Sequence, residues 1–303
     1  MILKVVTKDK TATYNIDKSK SYTWFGDLMM LVKVKLSLTV VSTSVFAYLL
    51  ASKGHVDYIG LVLLIFGGFF ITGAANALNQ VIEKDFDALM VRTADRPLAT
   101  GRMKVSEAVL IAGLFSTTGI IMLSAFNPLT VLLGILALCT YAFIYTPLKR
   151  YSTIAVAVGA IPGALPVLIG FTAIENGLSV LGISLFIVQF LWQFPHFWSI
   201  GYLGYEDYQR AGYKLLPEDS KGDIDRKVGF YAMIYTLLII PVIVYIWMEN
   251  TSGIAMIVSI VMTLLFAISA WNFHLRFDRK SALKMMFASF FYMPLILLTY
   301  WLL

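Results

Sequence analysis

Asn79, Glu83 and Asp87 recur at a spacing of four, and each ends in an oxygen-bearing group. On a helix that spacing stacks them turn on turn along one face. An amide and two carboxylates gathered this way suit Mg²⁺, which takes carboxylates together with waters and substrate phosphates. Asp85 falls on roughly the opposite face and is the weaker ligand candidate. The plain alternative is a solvated helix end, salt-bridged to Lys84 and Arg92. Position at the edge of a membrane favours a site, because ionisable groups there are expensive and tend to be kept for function.

Two basic segments point to the same chemistry. Arg92 and Arg96 lie four apart and run into Pro97-Leu98, a fixed turn carrying two guanidinium forks suited to phosphate oxygens. Lys149 and Arg150 close an apolar run at Tyr145-Thr146-Pro147-Leu148, where they serve either as a topology anchor or as charge for a departing diphosphate. Beside the acidic row, both segments read as parts of a metal-diphosphate site. A fourth segment holds His196 among Trp192, Phe194, Phe197 and Trp198, with Glu206, Asp207 and Arg210 following. A histidine among aromatics is either a satisfied core residue or a ligand, and imidazole can bind haem iron. His55 and His274 lie in or near loops and take no role.

The elements that must position these groups are read from hydropathy. The 303 residues are 59% hydrophobic and only 14% charged, with a mean hydropathy of +0.78. A soluble domain carries roughly a quarter charged residues, so a soluble fold is excluded. Nine apolar runs are each long enough to span a bilayer: about 29–51, 57–80, 106–125, 128–146, 154–173, 178–200, 229–248, 251–271 and 283–303. The expected architecture is an all-α bundle, with residues 1–28 a polar cytoplasmic tail and 29–303 one nine-helix domain. Its two long loops, at about 81–105 and 201–228, are rich in Arg, Asp and Glu and hold most of the candidates.

The net charge of +6 invites a nucleic-acid reading, but the charges fall between the apolar runs. With nine spans, 23 of the 24 Lys and Arg residues fall on one side, leaving only Lys53 on the other. That bias places the tail and both long loops in the cytoplasm and the C-terminus outside. Glu83 and Glu206, like Arg150 and Arg276, recur after four helices, a weak parallel repeat that would set Glu206, Asp207 and Arg210 across from the acidic row. The one cysteine, Cys139, sits in an apolar run, so no disulfide forms within the chain.

At these residues the chain resembles the UbiA-type membrane prenyltransferases, whose signature is an Asn-x-x-x-Asp-x-x-x-Asp row at the end of helix two. Within that group it is most similar to the branch that prenylates haem. The likeness rests on Arg92-Thr93-x-x-Arg96-Pro97-Leu98, on Tyr145-Thr146-Pro147 with Lys149-Arg150, on Pro195-His196-Phe197-Trp198, and on Glu206-Asp207-Tyr208-x-Arg210-Ala211-Gly212. Glu83 departs from the usual Asp, and Lys33-Val34-Lys35 stands where such enzymes often carry Thr-Lys-Pro-Arg. Glu206-Asp207-Tyr208-Gln209-Arg210 replaces the second Asp-x-x-x-Asp of the quinone-type relatives.

The resemblance implies a nine-helix bundle around a central cavity, in the cell membrane with its active face cytoplasmic. It implies transfer of the farnesyl group of farnesyl diphosphate to a vinyl group of haem b, giving haem O. Mg²⁺ held by Asn79, Glu83 and Asp87 would grip the diphosphate. Arg92, Arg96, Lys149 and Arg150 would neutralise the departing charge, and His196, Glu206, Asp207 and Arg210 would meet substrate. Haem A synthase or other haem-handling proteins are the partners such an activity implies. A UbiA-type enzyme with an aromatic or quinone-precursor acceptor is the alternative. A transporter should carry charges near the bilayer midplane, and a haem-binding subunit without catalysis leaves the acidic row unexplained.

Overall fold

The computed structural model describes residues 22–220, 222–249 and 251–303. Most of the tail expected at 1–28 lies outside these residues, but its last part is not an extended tail. Trp24–Leu31 form a short helix, α1, whose first turn is capped by Thr23 accepting from the Gly26 amide at 3.1 Å. The span expected at 29–51 is therefore broken. It resumes as α2, Val34–Ala51, after Lys33 takes a left-handed conformation with φ of 47°. A non-glycine residue there costs on the order of 1–3 kcal/mol. The turn is held from outside, since Gln80 Nε2 donates to the Met30 and Leu31 carbonyls at 2.9 and 2.8 Å.

The remaining elements follow the hydropathy runs. They are α3 (Tyr58–Asp87), α4 (Val105–Leu123), α5 (Pro128–Leu148), α6 (Ala155–Glu175), α7 (Val180–Leu203), the short α8 (Tyr205–Arg210), α9 (Val228–Met248), α10 (Gly253–Arg276) and α11 (Arg279–Leu302). Nine of the described helices are long and apolar enough to cross a membrane. Side-chain caps start many of them: Asp57, Asn127 with Pro128 behind it, Ser179, Ser252 and Asp278 each accept from an amide of the first turn.

Three details set the site. First, α3 continues past its apolar run to Asp87, so Asn79, Glu83 and Asp87 do share a helical face. Second, α5 loosens into a π-helical turn over Thr140–Tyr145 before its last turn at Thr146–Leu148. Such a turn shifts the phase of the residues after it. Third, α7 runs through Gly201 and ends at Leu203, so the break before Glu206 falls at Gly204.

Helices in lipid approach closely through small residues, since there is no water to drive them together. The most enclosed span is α6. A Cβ added at its Gly170 would meet the Ser44 carbonyl oxygen and lie 2.7 and 2.9 Å from Ala47 Cβ and the Tyr48 amide of α2. Between α2, α3, α5, α6 and α7 the bundle leaves a central cavity of about 280 Å³. Val40, Ile71, Pro162 and Ile169 give it an apolar lining, and Tyr141, Tyr145, Trp192 and Phe197 add aromatic rings.

Candidate active site

The buried row on α3 sits one turn beyond Asn76, which lines the cavity. Asn79, Glu83 and Asp87 are each under 5% exposed, an unusual state for two carboxylates. They survive burial because each meets a partner. The Asn79 amide nitrogen donates to Glu83 Oε2 at 2.8 Å and to Thr146 Oγ1 at 3.0 Å. Lys33 Nζ donates to Asn79 Oδ1 at 2.8 Å. Lys149 forms an ion pair with Glu83, and Arg96 grips both Asp87 oxygens at 2.7 and 2.8 Å. Local folding supplies each group. Thr93 Oγ1 caps the Asp87 carbonyl at 2.9 Å and turns the loop so that Arg96 returns over it. After the π-helical turn, Thr146 donates to the Tyr141 carbonyl at 2.8 Å, and both Thr146 and Lys149 face α3.

The structure separates residues that the sequence groups together. Lys149 is buried, whereas its neighbour Arg150 is exposed and lies over the Phe86 ring at 4.0 Å. Arg96 enters the row, but Arg92 is exposed and donates to Tyr208 Oη at 3.3 Å. Asp85 is exposed on the other face of α3, away from the row.

In the second loop, Asp207 accepts from the Val91 and Arg92 amides, both at 3.4 Å, and pairs with Arg210. These contacts dock α8 onto the first loop. Glu206 and Arg210 are exposed, so the second loop does not bring them to the row as the repeat suggests. Tyr213 is the residue that comes inward. It is buried, its ring lies 5.2 Å from Lys149 Nζ, and burial followed by the Glu83 and Asp87 charges raises its phenol pKa.

Lys33 and Tyr213 are the site residues that sequence reasoning passes over. Lys33 resembles any cation preceding an apolar run, and Tyr213 is one loop tyrosine among several. The signal for Lys33 was present in the family's basic entry to helix one, at the point where this chain departs from it.

Across the cavity, His196 on α7 lines the wall and binds Ser289 Oγ of α11 through Nδ1 at 2.8 Å. Its ring stacks on Trp192 at 4.7 Å with an interplanar angle of 15°. A separate network ties α1 to the first loop. Arg102 clamps Asp27 at 2.8–3.1 Å and Asp95 at 3.1 Å, with the Tyr22 ring 3.8 Å from its guanidinium.

The row thus joins two carboxylates and an amide to three cations, at the end of an apolar cavity. Excess positive charge in a buried place suits a ligand with several negative charges attached to an apolar body. Among the described residues, no three or more His, Cys, Asp or Glu side chains gather so that they alone could hold a metal ion. A metal at this donor set would take its remaining ligands from water or from ligand oxygens, which is the habit of Mg²⁺.

Comparison with known proteins decides the family. The sequence profile of the UbiA prenyltransferase family matches residues 40–293. The chain belongs to the UbiA prenyltransferase family. Among UbiA relatives, a protoheme IX farnesyltransferase from Cytophaga hutchinsonii is 40% identical over 274 residues, covering 90% of this chain and 95% of that protein. Another, from Christiangramia forsetii, is 37% identical, covering 91% and 92%. Of solved UbiA-type folds, a digeranylgeranylglyceryl phosphate synthase superposes with a TM-score of 0.76 at 18% identity, covering 91% of this chain and 97% of that one. A UbiA homologue from Archaeoglobus fulgidus bound to GPP and Mg²⁺ gives 0.66 at 14% identity, covering 90% and 99%. At those identities the structural likeness carries the fold.

Proposed function

We propose that this UbiA-family transferase moves the farnesyl group of farnesyl diphosphate to a vinyl group of haem b, giving haem O for terminal-oxidase cofactor synthesis. The observation that carries the reading is the buried Asn79-Glu83-Asp87 row, meshed with Lys33, Arg96 and Lys149 at the end of an apolar, aromatic-lined cavity. The acceptor follows the relatives, which are named protoheme IX farnesyltransferases.

The residues divide the work by charge. Asn79, Glu83 and Asp87 are the donors that fit Mg²⁺, the metal recorded with GPP in the Archaeoglobus homologue. Mg²⁺ held there would supply positive charge for the diphosphate as it departs. All four carboxylate oxygens meet Lys149, Asn79 or Arg96. Ligand entry therefore transfers those cations from the carboxylates to the diphosphate. Lys33, Arg96 and Lys149 then stabilise the negative charge as the allylic carbon–oxygen bond breaks and its electron pair leaves with diphosphate. Arg92 and Arg150 contribute from the rim, where Asp207, Arg210 and Tyr208 hold the two loops together.

Cavity rings from Tyr141, Tyr145, Trp192 and Phe197 give the allylic cation an electron-rich, dry surface. The terminal vinyl carbon of haem attacks it, and water adds to the neighbouring carbon with loss of a proton, completing the hydroxyethyl group. The bias of the loop cations to one side supports a site on the cytoplasmic face of the cell membrane, with the C-terminus outside. The test is purified protein with haem b, farnesyl diphosphate and Mg²⁺, analysed by mass. Haem O is the expected product. Its absence from folded protein, alongside prenylation of an aromatic quinone precursor, would move the chain to the other branch of the family.

A further inference from the structure

Three hydrogen-bond acceptors line one face of α7, and no described donor satisfies them. Gln189, Gln193 and His196 follow one another at helical spacings of four and three, and all three line the cavity. Gln193 donates its amide nitrogen to the Ala160 and Gln189 carbonyls at 2.9 and 3.3 Å. Gln189 donates to the Gly163 carbonyl at 3.3 Å, and its buried Oε1 has no partner. Both amides thus turn their donors into the helix packing and leave their oxygens over.

His196 is set the same way by a chain of two bonds. The Ser289 hydroxyl has one proton and gives it to the Met286 carbonyl at 2.5 Å. With the Ser289 proton on that carbonyl, Ser289 Oγ is the acceptor toward His196 Nδ1, 2.8 Å away, and the matching tautomer carries its proton on Nδ1. Nε2 is left with a bare lone pair. Trp192 fixes the ring plane by stacking on it, while the Trp192 indole N–H donates to the Ser289 carbonyl at 2.9 Å. The other edge meets Phe290, with ring centroids 5.3 Å apart.

An acceptor-only wall in an apolar cavity calls for an occupant that only donates. A farnesyl chain and a vinyl group donate nothing, and a buried acceptor left unmet costs on the order of 1–3 kcal/mol. Water gives two donors and keeps its lone pairs free for attack. We propose that Gln193 Oε1 and His196 Nε2 accept the two protons of the water that completes the hydroxyethyl group, with Gln189 continuing the acceptor face behind them, His196 Nε2 taking the proton that leaves and Ser289 acting as the positioning residue. This rests on the haem-farnesylating reading above.

The wall stands on α7, across the cavity from the diphosphate end on α3, so the water waits on the acceptor side. The vinyl carbon forms its bond to farnesyl first, leaving a cation on the carbon next to the porphyrin. The water oxygen then bonds to that carbon as its proton passes to Nε2. Without a held water, the same cation loses a proton from its other neighbouring carbon. The product is then an alkenyl haem, lighter than haem O by one water.

The test compares wild type with Gln193→Leu, His196→Ala, His196→Gln and Ser289→Ala, given haem b, farnesyl diphosphate and Mg²⁺ in oxygen-labelled water. The readout is the ratio of alkenyl haem to labelled haem O by mass, with haem binding measured by absorbance on the same samples. The ratio should rise about a hundredfold in His196→Ala, the low end of what a positioned base contributes. It should rise less in Gln193→Leu and Ser289→Ala, and return toward wild type in His196→Gln, which restores an acceptor. An unchanged ratio in all variants overturns the proposal. Loss of both products overturns it too, because the water acts only after the carbon–carbon bond forms. Loss of haem binding in His196→Ala would make His196 a haem ligand and overturn it as well. If wild type itself yields no prenylated haem, the haem reading fails instead.

Discussion

Five cations are candidates to meet the diphosphate, and the structure ranks them. Lys33, Arg96 and Lys149 each bond a member of the row, at 2.8 Å to Asn79, at 2.7 and 2.8 Å to Asp87, and in an ion pair with Glu83. The side chains of Arg96 and Lys149 are only 17% and 10% exposed. Arg92 and Arg150 are exposed and spend their guanidinium groups on Tyr208 and Phe86. A charge-assisted hydrogen bond in a shielded place contributes about 1.5–3 kcal/mol. At about 1.4 kcal/mol per factor of ten, Lys33→Met, Arg96→Met or Lys149→Met should weaken farnesyl diphosphate binding roughly 10- to 100-fold. An exposed ion contributes at most about 1 kcal/mol, so Arg92→Met or Arg150→Met should cost no more than about fivefold. Calorimetric titration with Mg²⁺ present, on variants checked by thermal melting, separates the two classes. Equal losses for Arg150→Met and Lys149→Met would refute the ranking.

Further outcomes follow from the packing and from burial. Gly170→Ala forces a methyl group against the α2 backbone and should cost about 1–3 kcal/mol in a thermal melt. Gly113→Ala, where a Cβ meets open space, should be neutral or slightly stabilising. The Tyr213 phenol is held protonated, so its stabilising contribution is complete below the ordinary tyrosine value of 10.0 and is lost as pH rises above it. Tyr213→Phe should therefore flatten the fall of melting temperature above that pH; an equally steep fall would contradict it. Arg102→Met removes the clamp on Asp27 and Asp95, and should raise protease sensitivity at α1 without changing the Mg²⁺ requirement.

Much of this organisation was legible in the sequence for reasons of solvent. Lipid demands long apolar runs, so the nine spans and the two polar loops announce themselves. The i, i+4 spacing of Asn79, Glu83 and Asp87 needed only that α3 extend past its apolar part, and it does. Helix phase was less visible. Lys149 points in and Arg150 out just beyond a π-helical turn at Thr140–Tyr145, whose shift of phase the sequence does not signal. The break at Lys33 was hidden for a different reason. The groups that hold it, Gln80 and Asn79, lie on another helix. The weak repeat misplaced Glu206, since the residues that close over the row are Lys149 and Tyr213.

The most direct measurement is turnover of farnesyl diphosphate and haem b to haem O as Mg²⁺ is titrated, in wild type, Glu83→Ala and Asp87→Ala. Wild type should form haem O only with the metal present. Each variant, still folded by its melting curve, should fall by about a hundredfold or more, as when an electrostatic stabiliser is removed from a buried site. Turnover unchanged by either substitution would contradict the assignment of this face to the metal and diphosphate.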